Sequence, residues 1–297
     1  MNPTLEDLLN VLLSPRLSCT FDDLPGHWRQ STLRVVCERP ELLEEGPWFT
    51  AAIRGAWGRQ LHKLNAGGAS ISPFNVFFST LDNIRVGRSI PPPFALSANY
   101  RGNSIIIELT LFGIADCWRQ NAFDALMAAL ADGIAIVPGR KGFRAVWCVR
   151  EASWTRSEST GVPKATTSWV RLTFHTPVRL GPRRALGVRW PDLIVSLADR
   201  ASRFARWQGL NVEADLGTWR RLGEGTRFRD EGMRPCAWDR RSGGQGGKKI
   251  PMVGLTGKLD IERPGEALMP LLVLGATMHV GGHTALGLGR YELFCRT

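Results

Sequence analysis

Two stretches of this chain run through the same succession of hydrophobic periods, and a repeated grammar of that kind folds as two copies of one unit. In the first half, Leu33-Arg34-Val35-Val36-Cys37 alternates as a strand and Trp48 to Leu64 has helical spacing. Strand-like runs follow at Phe74 to Leu81 and Ser104 to Phe112, on either side of Pro91-Pro92-Pro93. A helix over about Cys117 to Ala131 leads through Gly139-Arg140-Lys141-Gly142 into a closing strand, Phe143 to Val149. The polar segment Glu151 to Thr167 reads as a linker. The second half then gives a strand (Ser168 to Phe174), a helix (Pro191 to Trp207), strands near Cys236 to Arg240 and Met252 to Ile261, a helix (Glu266 to Ala276) and a last strand (Arg290 to Cys295). Both halves end as apolar helix, glycine-and-basic loop and strand, which points to an internal duplication. The expected fold is α+β: two tandem ferredoxin-like domains (RRM-like, βαββαβ), residues 1–160 and 161–297, the second carrying a C-terminal glycine-rich loop. An extra helix is expected at Leu5 to Leu13.

Charge narrows the partners. The 38 basic residues exceed the 27 acidic ones by 11, and only six of them are lysines. An excess of that size favours polyanions through release of condensed counterions, and arginine's planar fork grips phosphate and stacks on bases. A GC-rich genome would write the same arginine bias, so composition alone suggests nucleic acid without requiring it. Six scattered cysteines lack the paired spacing of zinc ribbons or disulfide frameworks. The first residues are acidic rather than basic, and the longest apolar stretch, Pro270 to Val280, is too short and glycine-broken to span a bilayer. A reduced, cytoplasmic protein with no membrane partner is the expectation.

The segment His279-Val280-Gly281-Gly282-His283-Thr284-Ala285-Leu286-Gly287-Leu288-Gly289-Arg290 carries the most information. It lacks the G-K-[ST] of a Walker loop, and it follows a helix and opens a strand, the reverse of a dinucleotide fingerprint. A glycine loop feeding the last strand of a second ferredoxin-like domain resembles the signature of the RAMP superfamily of CRISPR systems. Other segments are similar to family elements in the same order. Arg54-Gly55-Ala56-Trp57-Gly58-Arg59-Gln60-Leu61 resembles the first-helix "RGAxGxxL" motif, and Pro91-Pro92-Pro93-Phe94-Ala95-Leu96 a further element. Phe174-His175-Thr176-Pro177-Val178-Arg179-Leu180 is similar to the "TPxRL" strand opening the C-terminal domain. Trp238-Asp239-Arg240-Arg241-Ser242 to Gln245, followed by Met252 to Gly257, resembles the "W-x-R-x-S-x-x-Q … G-x-x-G" hairpin.

The resemblance implies a guide-RNA repeat-processing endoribonuclease that is metal-independent and cofactor-free. In such an enzyme the RNA's own 2′-hydroxyl attacks the adjoining phosphodiester, leaving a cyclic phosphate and a free 5′-hydroxyl. Its partners would be the repeat hairpin of CRISPR precursor RNA, the mature crRNA and other CRISPR effector subunits. The same resemblance admits a non-catalytic RAMP subunit that binds crRNA in an effector complex.

The cleavage needs a base, an acid and cations around the phosphorane, and histidine suits the first two roles. Of His27, His62, His175, His279 and His283, the choice falls on His62 at the end of the first long helix, where several family members carry a catalytic histidine. Arg59, three residues earlier, is the candidate for stabilising the phosphorane, and Lys63 the reserve cation. A solvated histidine near a helix C-terminus is the competing reading. The family often adds a tyrosine; this chain has only Tyr100 and Tyr291, neither near the first helix in sequence. Candidate RNA contacts are Arg54, Arg240, Arg241, Lys248, Lys249, His283, Gly287, Gly289 and Arg290. No acidic cluster with metal-ligand spacing is present, and no metal site is assigned.

Overall fold

The computed structural model describes residues 5–64, 71–78, 90–138, 142–162, 168–181, 189–241 and 249–296. The first half contains α1 (Leu5–Leu13), β1 (Leu17–Ser18), β2 (Gln30–Glu38), α2 (Trp48–Lys63), α3 (Pro73–Phe77), β3 (Phe94–Arg101), β4 (Ser104–Phe112), α4 (Arg119–Ala131), β5 (Ile134–Ala135), β6 (Arg144–Ala145) and β7 (Val149–Ser157). The second contains β8 (Trp169–Val178), α5 (Pro191–Ala205), β9 (Leu210–Asn211), α6 (Leu216–Gly225), β10 (Arg227–Asp230), β11 (Arg234–Arg241), β12 (Lys249–Glu262), α7 (Leu268–Met278) and β13 (Tyr291–Arg296).

The molecule is mixed α+β, with one large antiparallel sheet in each half and a short antiparallel pair, β5–β6, in the first. The first runs β3-β4-β2-β7 and the second β10-β12-β8-β13, with β11 also on β12. β10 and β11 are one strand interrupted at Glu231–Met233. Asp230 pairs with Leu259 and Arg234 with Thr256, so four steps on one side meet three on the other. Counting them as one, both sheets have the order second-third-first-fourth, reached through strand-helix-strand-strand-helix-strand connectivity.

Alternation sets the layers. β2 buries Leu33, Val35 and Cys37 on the face that α2 and α4 cover. α2 contributes Phe49, Ile53, Trp57 and Leu61 to that core, and the Trp57 indole donates to the Ala122 carbonyl of α4 at 3.0 Å. Ala122, Ala125 and Ala129 keep α4 slim enough for this approach. In the second half α7 is apolar on nearly every side because it lies between α5 and β13. Gly275 makes the contact possible: a Cβ there would meet Tyr291 Oη at 2.2 Å and Leu197 at 2.3 Å.

Two strand expectations change. The run from Phe74 is the short helix α3, with Leu81 outside the described residues; Ser72 caps it by accepting from the Asn75 amide, and Pro73 opens it. The hairpin partner of β4 is instead β3, directly after the three prolines. The closing strand of the first half is β7, seven residues of which overlap the segment read as a linker. It is an edge strand, almost wholly exposed, so nothing apolar marks it. The N-terminal helix falls at Leu5–Leu13 as expected.

That helix packs against the second half. Arg206 reaches the Leu13 carbonyl at 3.5 Å, β1 pairs in parallel with β9, and Phe21 meets Trp219 edge-on at 5.0 Å. Trp28, Phe112 and Phe204 form a buried aromatic triad across the seam, with Phe112 and Phe204 centroids 4.9 Å apart. Each such ring stabilises the joint by about 1.5–3 kcal/mol through burial, so the two halves share a core.

Candidate nucleic-acid interface

The glycine loop and the Thr176–Leu180 segment, separate in sequence, are the two sides of one turn. β8 bulges at His175–Pro177, and Gly289 N–H donates to the Pro177 carbonyl at 3.1 Å, Gly282 N–H to Arg179 at 2.9 Å, and Arg290 N–H to Thr176 Oγ1 at 2.9 Å. Gly281, Gly287 and Gly289 all have positive φ. A Cβ on Gly289 would stand 1.8 Å from the Val280 carbonyl oxygen, and one on Gly287 would stand 2.3 Å from Thr50 Cγ2 of α2. Both glycines are buried, Gly287 against Thr50 and Leu96 of the first half and Gly289 against the loop's own backbone. Arg290 follows Gly289 directly. Its guanidinium donates to Asn99 at 2.8 Å and to Glu108 at 2.7 Å, across the seam, with its side chain 17% exposed. His283 is exposed at the loop's tip, in a left-handed conformation with φ 61°.

One turn beyond Thr50, α2 presents a row at i, i+4 and i+8: Arg54, Gly58 and His62. Gly58 has no side chain because Phe78 lies there; a Cβ would be 2.7 Å from its ring. The Arg54 guanidinium sits 4.5 Å over Phe78, Phe78 stacks on Phe74 at 5.4 Å, and Phe74 meets His62 edge-on at 5.0 Å. A guanidinium, two phenyl rings and an imidazole therefore form one continuous surface. Arg240 of β11 approaches Arg54 from the other half, where β11 packs beside α2. Burial first, and Arg240 second, push the Arg54 guanidinium down to about 10, still charged at neutral pH. The Nε atoms of both arginines are buried without a hydrogen-bond partner among the described residues. Two like charges drawn together with unmet donors are an arrangement that an anion completes.

The remaining candidates separate from this row. Lys63 is 3.1 Å from Asp132, Gln60 donates to the same carboxylate, and those two hydrogen bonds hold Asp132 below its usual range. Arg59 is exposed and lies in the same neighbourhood; burial and Arg144 lower it, while Asp132 opposes. Lys249 pairs with Asp239 at 2.8 Å, Arg241 closes β11, and Lys248 lies outside the described residues. Phe74 and Phe78, missed by sequence reasoning as site residues, carried a signal in Ser72-Pro73, a helix start where a strand was read. Neither tyrosine faces the row. Tyr291 Oη donates to the Leu272 carbonyl at 2.6 Å in the core, and Gly46 N–H donates to Tyr100 Oη at 3.3 Å.

His279, at the start of the glycine loop, is 4% exposed, and its Nδ1 has no hydrogen-bond partner among the described residues. Burial, then Arg200 and Arg290, push its imidazole down to about 3 from 6.5. The unfolded chain therefore takes up this proton first as pH falls. The stability this group contributes is complete above about pH 6.5 and is lost progressively toward pH 3. By pH 4.5 the loss is expected to reach about 2–3 kcal/mol. Urea midpoints at pH 7 and pH 5 should converge in His279→Asn relative to the unmodified chain; an unchanged difference would assign the acid sensitivity elsewhere.

Among the described residues no group of His, Cys, Asp or Glu could hold a metal ion, and no helix is long and apolar enough to cross a membrane. The fold has solved counterparts. A Cas6 in complex with its product aligns with TM-score 0.54 and 19% identity, covering 91% of this chain and 100% of that one. A Thermus thermophilus Cas6 aligns at 0.52 and 16%, covering 90% and 98%. A RAMP protein described as binding different RNA substrates aligns at 0.50 and 9%, covering 90% and 100%. No curated protein matches the sequence. These likenesses show a shared fold along most of the chain. Residues 172–291, from β8 to the first residue of β13, match the model of the family CRISPR-associated endoribonuclease Cas6.

Proposed function

We propose that this protein is a metal-independent, cofactor-free endoribonuclease that binds the repeat hairpin of CRISPR precursor RNA and cuts beside it, yielding mature crRNA. In this reading the two β-α-β-β-α-β units are tandem ferredoxin-like domains, residues 1–160 and 161–297, with residues 5–28 of the first anchored on the second. The observation that carries the proposal is the Arg54–Arg240 pair, one arginine from each half, with buried unmet donors at the seam. A phosphodiester held there lies along the α2 row that ends in His62. The Phe78–Phe74 surface offers a base a place to stack. His62 takes the proton of the attacking 2′-hydroxyl or supplies one to the leaving 5′-oxygen. Arg59 and Lys63 supply positive charge beyond it, and His283, Arg241, Lys248 and Lys249 extend the RNA surface. The protein acts in the cytoplasm beside other CRISPR effector subunits.

The test is incubation with the host's repeat RNA in EDTA, beside a substrate carrying a 2′-deoxy substitution at the cut. One cut flanking the hairpin is expected, surviving EDTA and absent from the deoxy RNA. Binding without any cut would assign the chain to the non-catalytic RAMP subunits that hold crRNA. For the arginine pair, Arg54→Ala and Arg240→Ala should each weaken hairpin binding about tenfold. Each should also reduce the slope of log affinity against log salt by about one. An unchanged slope in both would remove phosphate from the seam.

A further inference from the structure

A recess of mixed polar and apolar lining lies away from this row, where α4 begins. Its volume is about 640 Å³, and its wall includes Arg29, Ser31, Asp116, Arg119 and Arg156. Three guanidinium-bearing side chains thus share the wall with one carboxylate. The floor is fixed in place by contacts across the seam. The Gln208 side chain accepts from Arg29 N–H at 3.1 Å and donates to the Arg29 carbonyl at 2.9 Å. Gly113 N–H also donates to that carbonyl, at 3.0 Å, and a Cβ on Gly113 would stand 1.9 Å from the Trp207 carbonyl oxygen.

Two polar atoms of the wall have no hydrogen-bond partner among the described residues: Ser31 Oγ, on a residue only 1% exposed, and Asp116 Oδ1. Arg119 is only loosely paired, 4.0 Å from Asp116, and Arg156 pairs with the exposed Glu158 at 3.8 Å. Buried acceptors left unmet cost free energy that a ligand's N–H or O–H groups would recover. Val11, Ile114 and Trp207 give the remaining wall an apolar character. The recess is far larger than inorganic phosphate needs and falls in the range of small-molecule sites.

We propose that this recess binds a nucleoside monophosphate unit, its phosphate held by Arg119, Arg156 and Arg29 and its base or ribose donors received by Asp116 and Ser31. The unit is a free nucleotide or one residue of a single-stranded RNA, and the proposal holds whether or not the hairpin is cut elsewhere.

The full chain is titrated calorimetrically with the four nucleoside 5′-monophosphates and, separately, with an unstructured oligoribonucleotide lacking the repeat hairpin. The same titrations use Arg119→Ala/Arg156→Ala and Ser31→Ala, with hairpin binding and urea midpoints as controls for folding. Saturable binding of at least one probe, weakened tenfold or more in the double variant and measurably in Ser31→Ala, is the expected result. Hairpin binding should be unchanged. A response to mononucleotides identifies a free-nucleotide site, and a response to the oligomer alone identifies a path for the RNA chain; both support the proposal. No saturable binding of either probe, or equal binding by a folded double variant, would overturn it without touching the Arg54–Arg240 reading.

Discussion

His62→Ala is expected to lower the rate of repeat cleavage by roughly 10²–10⁴, the range of a positioned acid or base, while leaving hairpin affinity within about twofold. The separation of rate from binding follows from where His62 sits. Along α2 it lies two turns past Arg54, which stands at the seam with Arg240 and is expected to dominate affinity. Its ring meets Phe74 edge-on and is otherwise exposed, so truncation leaves the core and α2 intact. Arg59→Ala and Lys63→Ala make the contrast, because Lys63 ties α2 to Asp132 at the end of α4. Each should reduce the rate by less than tenfold. Undiminished cleavage by His62→Ala, with a large loss in Arg59→Ala, would transfer the chemistry to arginine and leave His62 as a solvated helix-end residue.

Gly289→Ala is expected to lower stability by more than about 3 kcal/mol, a size that belongs to a short list of causes, backbone incompatibility among them. The added methyl would stand 1.8 Å from the Val280 carbonyl oxygen, at a φ of +73°. The clash is with backbone that is itself bonded: Val280 N–H donates to the Gly289 carbonyl at 3.0 Å. Relief therefore requires opening the loop and releasing Arg290 from Asn99 and Glu108. Thermal unfolding and limited proteolysis of the purified variant would report it. Gly282→Ala is the control, since its Cβ would meet nothing nearer than 3.9 Å and its φ is not positive. Equal stability of the two variants would refute this account of the loop.

Legibility in the sequence followed burial. α1, α2 and α5 were readable because each keeps one apolar face over two turns or more, and β4 and α7 because each is a dense apolar run. α3 and β7 were not. Phe74-Asn75-Val76-Phe77-Phe78 is a short apolar run whose period is ambiguous, decided by the Ser72-Pro73 cap. β7 is exposed except at Trp154 and Ser157, so its pairing with β2 comes from backbone hydrogen bonds that leave no alternating apolar pattern. The candidate site was legible as residue types. Its grouping was not, since Arg54 and Arg240 are brought together by a seam no local signal records. The glycines were legible as a motif, but the steric demands of Val280 and Thr50 are tertiary facts.

The anchoring of α1 on the second half also sets a schedule for synthesis. Leu13 and Arg206, joined in the finished protein, are 193 residues apart. At about 5–20 residues per second, α1 leaves the ribosome roughly 10–40 s before the surface it covers exists. Throughout that interval its buried leucines, Leu8 and Leu12, have no docking partner. α1 is thus made well before the surface it settles on. A stalled or truncated product ending before β9 would carry α1 as an unmatched apolar helix, a mark by which quality control could tell it from a product that includes the second half.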